Sequence, residues 1–519
     1  MLNLAIVLED SARTYPDRDA VVLGQTRLPF SAVNAAANQV ANLLVSRGIK
    51  PGDKVALSSP NVPWFPIIYY GILKTGAAVV PLNVLLRGRE VAYHLRDSGA
   101  RALFCFEGTP ELPIAQICHD GFEQADGCEQ MFVVTANPEA PSPCDEIETL
   151  AQALVGRSPV FDSVATDATD TAVVLYTSGT TGQPKGAELT HSNLTLNALT
   201  AHRVLDGGEA TDTHLIALPL FHAFGQTLQM HTAFAGGNTI VLMPRFDPAE
   251  AVELMLRESI THFAGVPTMY HALLSALPDQ EAIDTIARSL RLALSGGSAM
   301  PVEIIKQVKE KFGINVREGY GLSETSPGAS FTPRAGENRP GSIGKPIWGV
   351  EMKLVNDDWG DVPDSPDAVG EIAIKGHPVM KGYLNRPEAT AEVLRNGWFR
   401  TGDLARKDAD GYYYIIDRSK DMIIRGGYNV YPREIEEVLM THPAVSLVAV
   451  VGVPDEKFGE EVKAYVVKRD DDPTTAEELL AWGKEQFAGY KYPRMIEIVE
   501  QFPMTATGKI LKRELKTSS

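Results

Sequence analysis

The chain has 519 residues, and at roughly 150 residues per domain it is too long for a single small core, so at least two domains are expected. Hydrophobic residues at 44% and charged residues at 22% give the balance of a globular chain and exclude a disordered or fibrous one. Asp and Glu (66) outnumber Lys and Arg (48) for a formal net charge of −18; a field of that sign repels polyphosphate backbones and argues against nucleic acid, while helix N-termini and backbone amides can still hold small anions.

Met1 to Asp19 carries acids where a signal peptide needs a basic flank and reads as an amphipathic first helix. Ser31 is placed to cap a helix with Val33, Val40 and Leu44 on its apolar face, Gly48 to end it, and Val55 to Ser58 then reads as a strand. The longest apolar stretch, Trp64 to Leu73, is interrupted by Pro66 and ends at Lys74, short of the roughly 20 residues of a membrane span, so no transmembrane segment is expected. Cys105, Cys118, Cys128 and Cys144 include no CxxC pair and have no nearby histidine cluster. They are read as reduced thiols of a cytoplasmic protein, with a disulfide among them left open.

Ala172–Tyr176, Leu215–Leu218, Thr239–Met243, His262–Val266 and Leu290–Leu294 read as short buried strands separated by helical segments. That is the pattern of an α/β fold with mostly parallel sheets covered by helices, whose functional loops lie at strand C-terminal ends. After Gly341 the texture turns to short alternating runs, Glu351–Val355, Glu371–Lys375 and Tyr412–Ile416, the last entered through a turn at Asp408–Gly411. This predicts a β-rich subdomain over about 340–419. From about Asp421 a small α+β domain is expected, with helices near Pro432 and over Ala476–Gln486 and strands at Leu447–Val451 and Val462–Val467. The resulting division is 1–419 and 420–519, joined by a short hinge rather than a tether.

The most informative stretch is YTSGTTGQPKG, Tyr176 to Gly186, placed after a buried strand and before a helix beginning near Ser192. Glycines let amides approach an anion, hydroxyls donate, and Lys185 adds charge, the requirements of a phosphate cradle. A Walker loop needs Ser or Thr after its Gly-Lys pair, whereas Lys185 is followed by Gly186.

The stretch resembles the signature of the adenylate-forming superfamily, which comprises acyl-CoA and aryl-CoA synthetases, peptide-synthetase adenylation domains and beetle luciferases. Further motifs match in the same order: PLFHAFG at 219–225, SGGSAM at 295–300, GYGLSET at 319–325, WFRTGDL at 398–404, DRSKDMIIRGGYNVYPREIE at 417–436 and PMTATGKILKREL at 503–515. The resemblance covers nearly the whole chain. It implies a large N-terminal domain that binds acid and ATP and a small mobile C-terminal domain. The implied reaction converts a carboxylate to an acyl-adenylate and then to a CoA thioester.

By that resemblance Thr177, Ser178, Gly179, Thr180 and Thr181 hold the β and γ phosphates with help from Lys185, and Glu324, beside Ser323, places Mg²⁺. Tyr320, between Gly319 and Gly321, offers a face to adenine. Gly296, Gly297 and Ser298 let backbone approach the nucleotide, and Glu318 stands where many relatives have Gln. Asp403 and Arg418 resemble the pair that binds ribose hydroxyls. Lys509 is the implied adenylation lysine and Lys420 the hinge; rotation about it would withdraw Lys509 and bring Gly426 and Gly427 to the nucleotide along a path for pantetheine.

His222 stands where amino-acid-activating relatives carry an Asp for the substrate ammonium, which disfavours amino acids. The implied acid pocket, from Phe221, His222, Phe224, Gly225, Leu228, Gly265, Val266, Met269 and Gly321, is apolar apart from His222. A medium- or long-chain fatty acid is the first expectation, with an aryl acid of the 4-coumarate type or a standalone acyl-AMP ligase as alternatives. ATP, Mg²⁺ and CoA are the implied small-molecule partners, and a homodimer is left open.

Overall fold

The computed structural model describes residues 1–177, 183–205, 207–208, 210–298, 300–333, 337–363, 365–366, 368–418, 420–469 and 472–517. Ser178, Gly179, Thr180 and Thr181 lie outside the described residues.

Two large sheets dominate the N-terminal part. The first has nine strands among the described residues, with a parallel centre formed by Asp19–Leu23, Thr239–Leu242, Thr213–Ile216, His262–Gly265, Leu292–Ser295 and Val316–Gly321. The second has seven, with Thr171–Thr177, Ala78–Pro81, Lys54–Ser58, Ala100–Phe106 and Gln130–Val134 parallel. Their strands are Val-, Leu- and Ala-rich and buried on both faces, as helix-covered parallel strands must be. The helix Trp64–Lys74, buried throughout except at Trp64, tolerates Pro66 because it sits in the first turn, where a missing N–H breaks no helical bond. All four cysteines are free and buried.

A third, antiparallel sheet of Val350–Val355, Gly370–Gly376, Trp398–Lys407, Leu394–Arg395 and Tyr413–Arg418 matches the expected β-rich texture. The Asp408–Gly411 turn joins its last two long strands through a Gly411 N–H to Asp408 carbonyl bond of 3.0 Å. A smaller C-terminal domain follows, built on the long hairpin Val445–Asp455 and Gly459–Lys468 with its own core of Ile435, Leu439, Val450 and Val466.

Two local expectations change. Ser31 does not cap the second helix, which runs from Phe30 to Ser46; its hydroxyl donates instead to the Pro16 carbonyl at 2.8 Å. The phosphate-cradle motif does not lead straight into a helix. Lys185–Thr190 forms a strand antiparallel to Thr171–Thr177, so Lys185 faces Thr177 across a hairpin. The helix then starts at His191, capped by Thr190 Oγ1 accepting from the Asn193 N–H at 3.1 Å.

Candidate active site

The strands Leu292–Ser295 and Val316–Gly321 end side by side, Ser295 in register with Glu318. They deliver Gly296, Gly297 and Ser298 on one side and Gly319, Tyr320 and Gly321 on the other to the C-terminal edge of the first sheet. Close backbone approach requires these glycines: a Cβ on Gly321 would lie 1.5 Å from the Pro327 carbonyl oxygen, and one on Gly296 would lie 3.0 Å from Phe224 Cε1. The Tyr320 hydroxyl donates to Asp403 Oδ2 at 2.7 Å, and Arg418 Nε reaches Asp403 Oδ1 at 3.0 Å. Asp403 and Arg418 are cross-strand partners in the third sheet, which fixes this pair by register. Glu318 is buried, and its Oε2 accepts the Gly341 N–H at 2.8 Å. Burial pushes its carboxyl up to about 7, although Gly341 and the Arg433 charge pull the other way.

Glu324 sits in a short 3₁₀ turn, Ser323–Thr325. Its Oε1 accepts from the Tyr383 hydroxyl at 2.9 Å, and Lys185 Nζ stands 5.1 Å from the centre of the Tyr383 ring. Tyr383 therefore links the Glu324 carboxylate to Lys185. It escaped sequence reasoning because it lies in a two-residue strand, too short to show a period.

The PLFHAFG segment leads into a π-helical stretch, Phe224–His231, of the kind often found at functional sites. Buried Asn61 anchors it, donating to the Leu218 carbonyl at 3.0 Å and accepting from the Leu220 N–H at 2.9 Å. Behind the helix, Tyr69 donates to Gln226 Oε1 at 2.9 Å and Tyr70 meets His231 Nδ1 at 2.6 Å. Gly225 is needed because a Cβ there would stand 2.4 Å from the Pro219 carbonyl oxygen. The Phe224 N–H donates to His222 Nδ1 at 3.3 Å, which assigns the ring proton to Nε2. Burial and then the Lys509 charge hold His222 down at about 4, so at neutral pH it is an uncharged Nε2–H donor.

Lys509 reaches this site from the C-terminal domain. A turn closes with the Gly508 N–H on the Thr505 carbonyl at 2.9 Å, and Thr268 Oγ1 of the N-terminal domain donates to the Gly508 carbonyl at 3.0 Å. Lys509 Cε stands 3.4 Å from where a Cβ on Gly297 would be. Burial, with the Arg418 and Lys420 charges, lowers the Lys509 ammonium to about 8 against the pull of Asp403. Lys420 is exposed in the turn after Arg418. Gly426 and Gly427 are not brought to the site; they are exposed on the C-terminal domain, where the Gly426 N–H donates to the Phe458 carbonyl at 2.8 Å.

The acid-pocket residues Phe221, Phe224, Leu228, Val266 and Met269 are buried and Gly265 packs on Phe263 and Met269. Of these, Leu228 also lines a small cavity together with three polar residues outside the expected set, His214, Gln229 and His262, and with Phe263. Sequence reasoning missed these three, since single polar residues inside apolar segments carry no periodic signal.

Residues 8–384 match the AMP-binding enzyme family and residues 434–509 the AMP-binding enzyme C-terminal domain. A long-chain-fatty-acid–CoA ligase of Bacillus subtilis (strain 168) is 36% identical over 99% of this chain and 94% of its own length. A feruloyl-CoA synthase of an Amycolatopsis species is 38% identical over 97% of this chain and 96% of its own. Among solved structures, ATP-bound MatB from Rhodopseudomonas palustris superposes with a TM-score of 0.88 at 30% identity, covering 100% of this chain and 99% of that one. The site at the meeting of the two domains is thus that of an AMP-forming acid–thiol ligase, and the chain belongs to the AMP-binding enzymes.

Proposed function

We propose that the chain is an ATP- and Mg²⁺-dependent fatty acid–CoA ligase of medium or long chain specificity, acting through an acyl-adenylate and releasing pyrophosphate and AMP. The observation that carries this reading is the position of Lys509, held between Gly297, His222 and the Asp403–Arg418 pair. A carboxylate and an α-phosphate brought together there are both anions, and the ammonium offsets their repulsion as the carboxylate oxygen attacks phosphorus and pyrophosphate leaves. The His222 Nε2–H orients the carboxylate. Asp403 accepts from ribose hydroxyls, Arg418 supports it, and Tyr320 stacks on the base. Glu324 offers an oxygen ligand beside Lys185, a donor set that fits Mg²⁺, which when bound supplies charge neutralisation at the phosphates. Thr177 and the glycines of its loop complete the phosphate cradle.

For the second half-reaction Lys420 serves as the hinge that turns Gly426 and Gly427 toward the nucleotide, and the CoA thiolate attacks the acyl carbonyl with AMP as leaving group. The exposure of both glycines in the present arrangement supports this division of labour.

An aryl acid is the second reading, favoured by the aromatic lining from Phe221, Phe224 and Phe263 and by the histidine-lined cavity behind Leu228. A panel of aliphatic and aromatic carboxylates assayed for CoA-dependent AMP formation ranks the two. Acid-dependent formation of acyl-AMP and pyrophosphate with no AMP release on adding CoA would replace both with an acyl-AMP ligase.

A further inference from the structure

His214 Nε2, His262 Nε2 and Gln229 Oε1 are buried and have no hydrogen-bond partner among the described residues. The three residues are 5%, 5% and 2% exposed, and they line one cavity of about 10 Å³, closed otherwise by Leu228, Phe263 and Leu294 among its walls. Unpaired polar atoms are destabilising in an interior, and three of them on residues that line one space call for an occupant. A space of this size holds about one water or one small polar group.

The place of the cavity connects it to the acid. His214 and His262 are register partners on adjacent parallel strands, and the His262 strand ends at Gly265 in register with Ser295, just before Gly296 and Gly297. Gly265 lies three residue steps along the strand from His262, about 10 Å at ~3.3 Å per residue. Leu228 lies on the same helix as Phe224, one turn on, and lines the cavity. The cavity thus adjoins Leu228, a residue expected in the acid pocket, and lies along the strand that ends at Gly265.

The hydrogen-bonding sense is also fixed for two of the three atoms. Thr261 Oγ1 donates to Asp212 Oδ1 at 3.0 Å and so accepts from His262 Nδ1 at 2.9 Å, leaving His262 Nε2 a bare lone pair. Gln229 Nε2 donates to the Leu215 carbonyl at 3.1 Å, and its Oε1 is an acceptor. Burial lowers both imidazoles, His262 to about 4, so neither carries charge at neutral pH. The floor thus asks for a hydrogen-bond donor.

A metal ion does not answer that demand, although Asp212, His214 and His262 each place a ligand atom within 4.8 Å of the others. Asp212 Oδ1 is already held by Arg291 and Thr261, and its Oδ2 by the Gly208 N–H at 2.6 Å. The two rings are stacked, 4.3 Å apart and 12° from parallel, so their lone pairs run side by side and do not converge on one ion.

We propose that His214, Gln229 and His262 form a hydrogen-bonding floor of the acid pocket that selects acids bearing a hydroxyl at the far end, as a para-hydroxylated aryl acid does. This rests on the second, aryl-acid reading of the acid–CoA ligase, and its success would set the fatty-acid reading aside. The test compares 4-hydroxycinnamic with 4-fluorocinnamic acid, similar in shape but differing in donation, by kcat/KM for CoA-dependent AMP formation. The native chain is expected to prefer the hydroxyl by about tenfold, and His262→Leu and Gln229→Met should each remove most of that preference while keeping turnover of the fluoro acid. Melting temperature and fluoro-acid turnover show that the variants are folded; if one fails to fold, the other decides. Equal turnover of the two acids by the native chain, showing that the cavity holds a structural water only, would overturn the proposal. So would a preference that survives in the folded variants, or no turnover of either aryl acid. Aliphatic acids run in the same assay report on the ligase reading separately.

Discussion

A Cβ placed on Gly508 would stand 2.9 Å from Val266 Cγ2, so the loop that carries Lys509 rests directly on the residue before the helix Pro267–Ser275. Gly508 also has φ +76°, where a side chain is strained. Gly508→Ala must therefore lift the loop from Val266 or distort it, and in either case Lys509 moves away from Gly297. Since a misplacement of ~1 Å can lower a rate about 100-fold, acid-dependent pyrophosphate exchange should fall by about that factor. Thioester formation from supplied acyl-AMP should be spared. Equal loss in both assays would show that Gly508 supports the domain as a whole.

The depressed ammonium of Lys509 gives a pH signature. Its pKa near 8 means that the charged form dominates below pH 8 and is lost as pH rises through that value. Adenylation needs the charge, so kcat/KM for ATP, which reports the free enzyme, should decline above pH 8. Lys509→Arg, with a guanidinium that stays protonated, should retain some activity and lose that limb. Lys509→Ala should abolish adenylation while sparing the thioester step. A limb that persists in the arginine variant would belong to another group.

Much of this site was legible in the sequence, for a physical reason. Residues that meet backbone or phosphate must be of particular types at fixed spacing, so Gly296, Gly321, Asp403 and Lys509 advertise themselves in short motifs. Parallel strands were equally legible as apolar runs between helices. What stayed hidden depends on long-range packing. Tyr383 reaches Glu324 across 59 residues of sequence, and His214 meets His262 only because two parallel strands align. The strand at Lys185–Thr190 was missed because its pairing with Thr171–Thr177 overrides a glycine-rich, loop-like composition.

Glu318 should make stability fall as pH rises. Burial lifts its carboxyl from 4.5 to about 7, so the folded state holds a proton that the unfolded chain releases above its ordinary pKa. Stability contributed by that proton is present at low pH, declines between about 4.5 and 7, and is gone above 7. The two values differ by about 3 kcal/mol at full effect. Glu318→Gln keeps an acceptor for the Gly341 N–H without the titration, so its melting temperature at pH 8 should exceed that of the native chain, and the two should converge near pH 4.5. Parallel melting curves across this range would show that Glu318 is neutralised otherwise.

Glu324→Gln removes one anionic oxygen from the proposed metal ligand while leaving an acceptor for the Tyr383 hydroxyl. The Mg²⁺ concentration giving half-maximal rate should rise, with a lower rate at saturation. Tyr383→Phe should cause a smaller shift in the same direction, because it frees the carboxylate rather than removing it. An unchanged Mg²⁺ titration in both would make the Glu324–Tyr383 contact structural only.

The hinge supplies the sharpest separation of the two half-reactions. Lys420 is exposed, two residues beyond Arg418, in a turn where the Asp421 and Met422 N–H groups both donate to the Arg418 carbonyl, at 3.0 and 3.2 Å. In the present arrangement Lys509 is docked, while Gly426 and Gly427 face solvent; on the proposed mechanism, thioester formation requires the backbone near Lys420 to rotate. Lys420→Pro fixes φ near −65° and restricts that rotation. The adenylation arrangement should be retained, so pyrophosphate exchange stays near normal while thioester formation collapses. Proline could instead destabilise the connection between domains, and then both half-reactions and the melting temperature would fall together. Exchange, thioesterification and melting measured on one preparation separate these cases, and a parallel fall of all three would remove Lys420 from the mechanism.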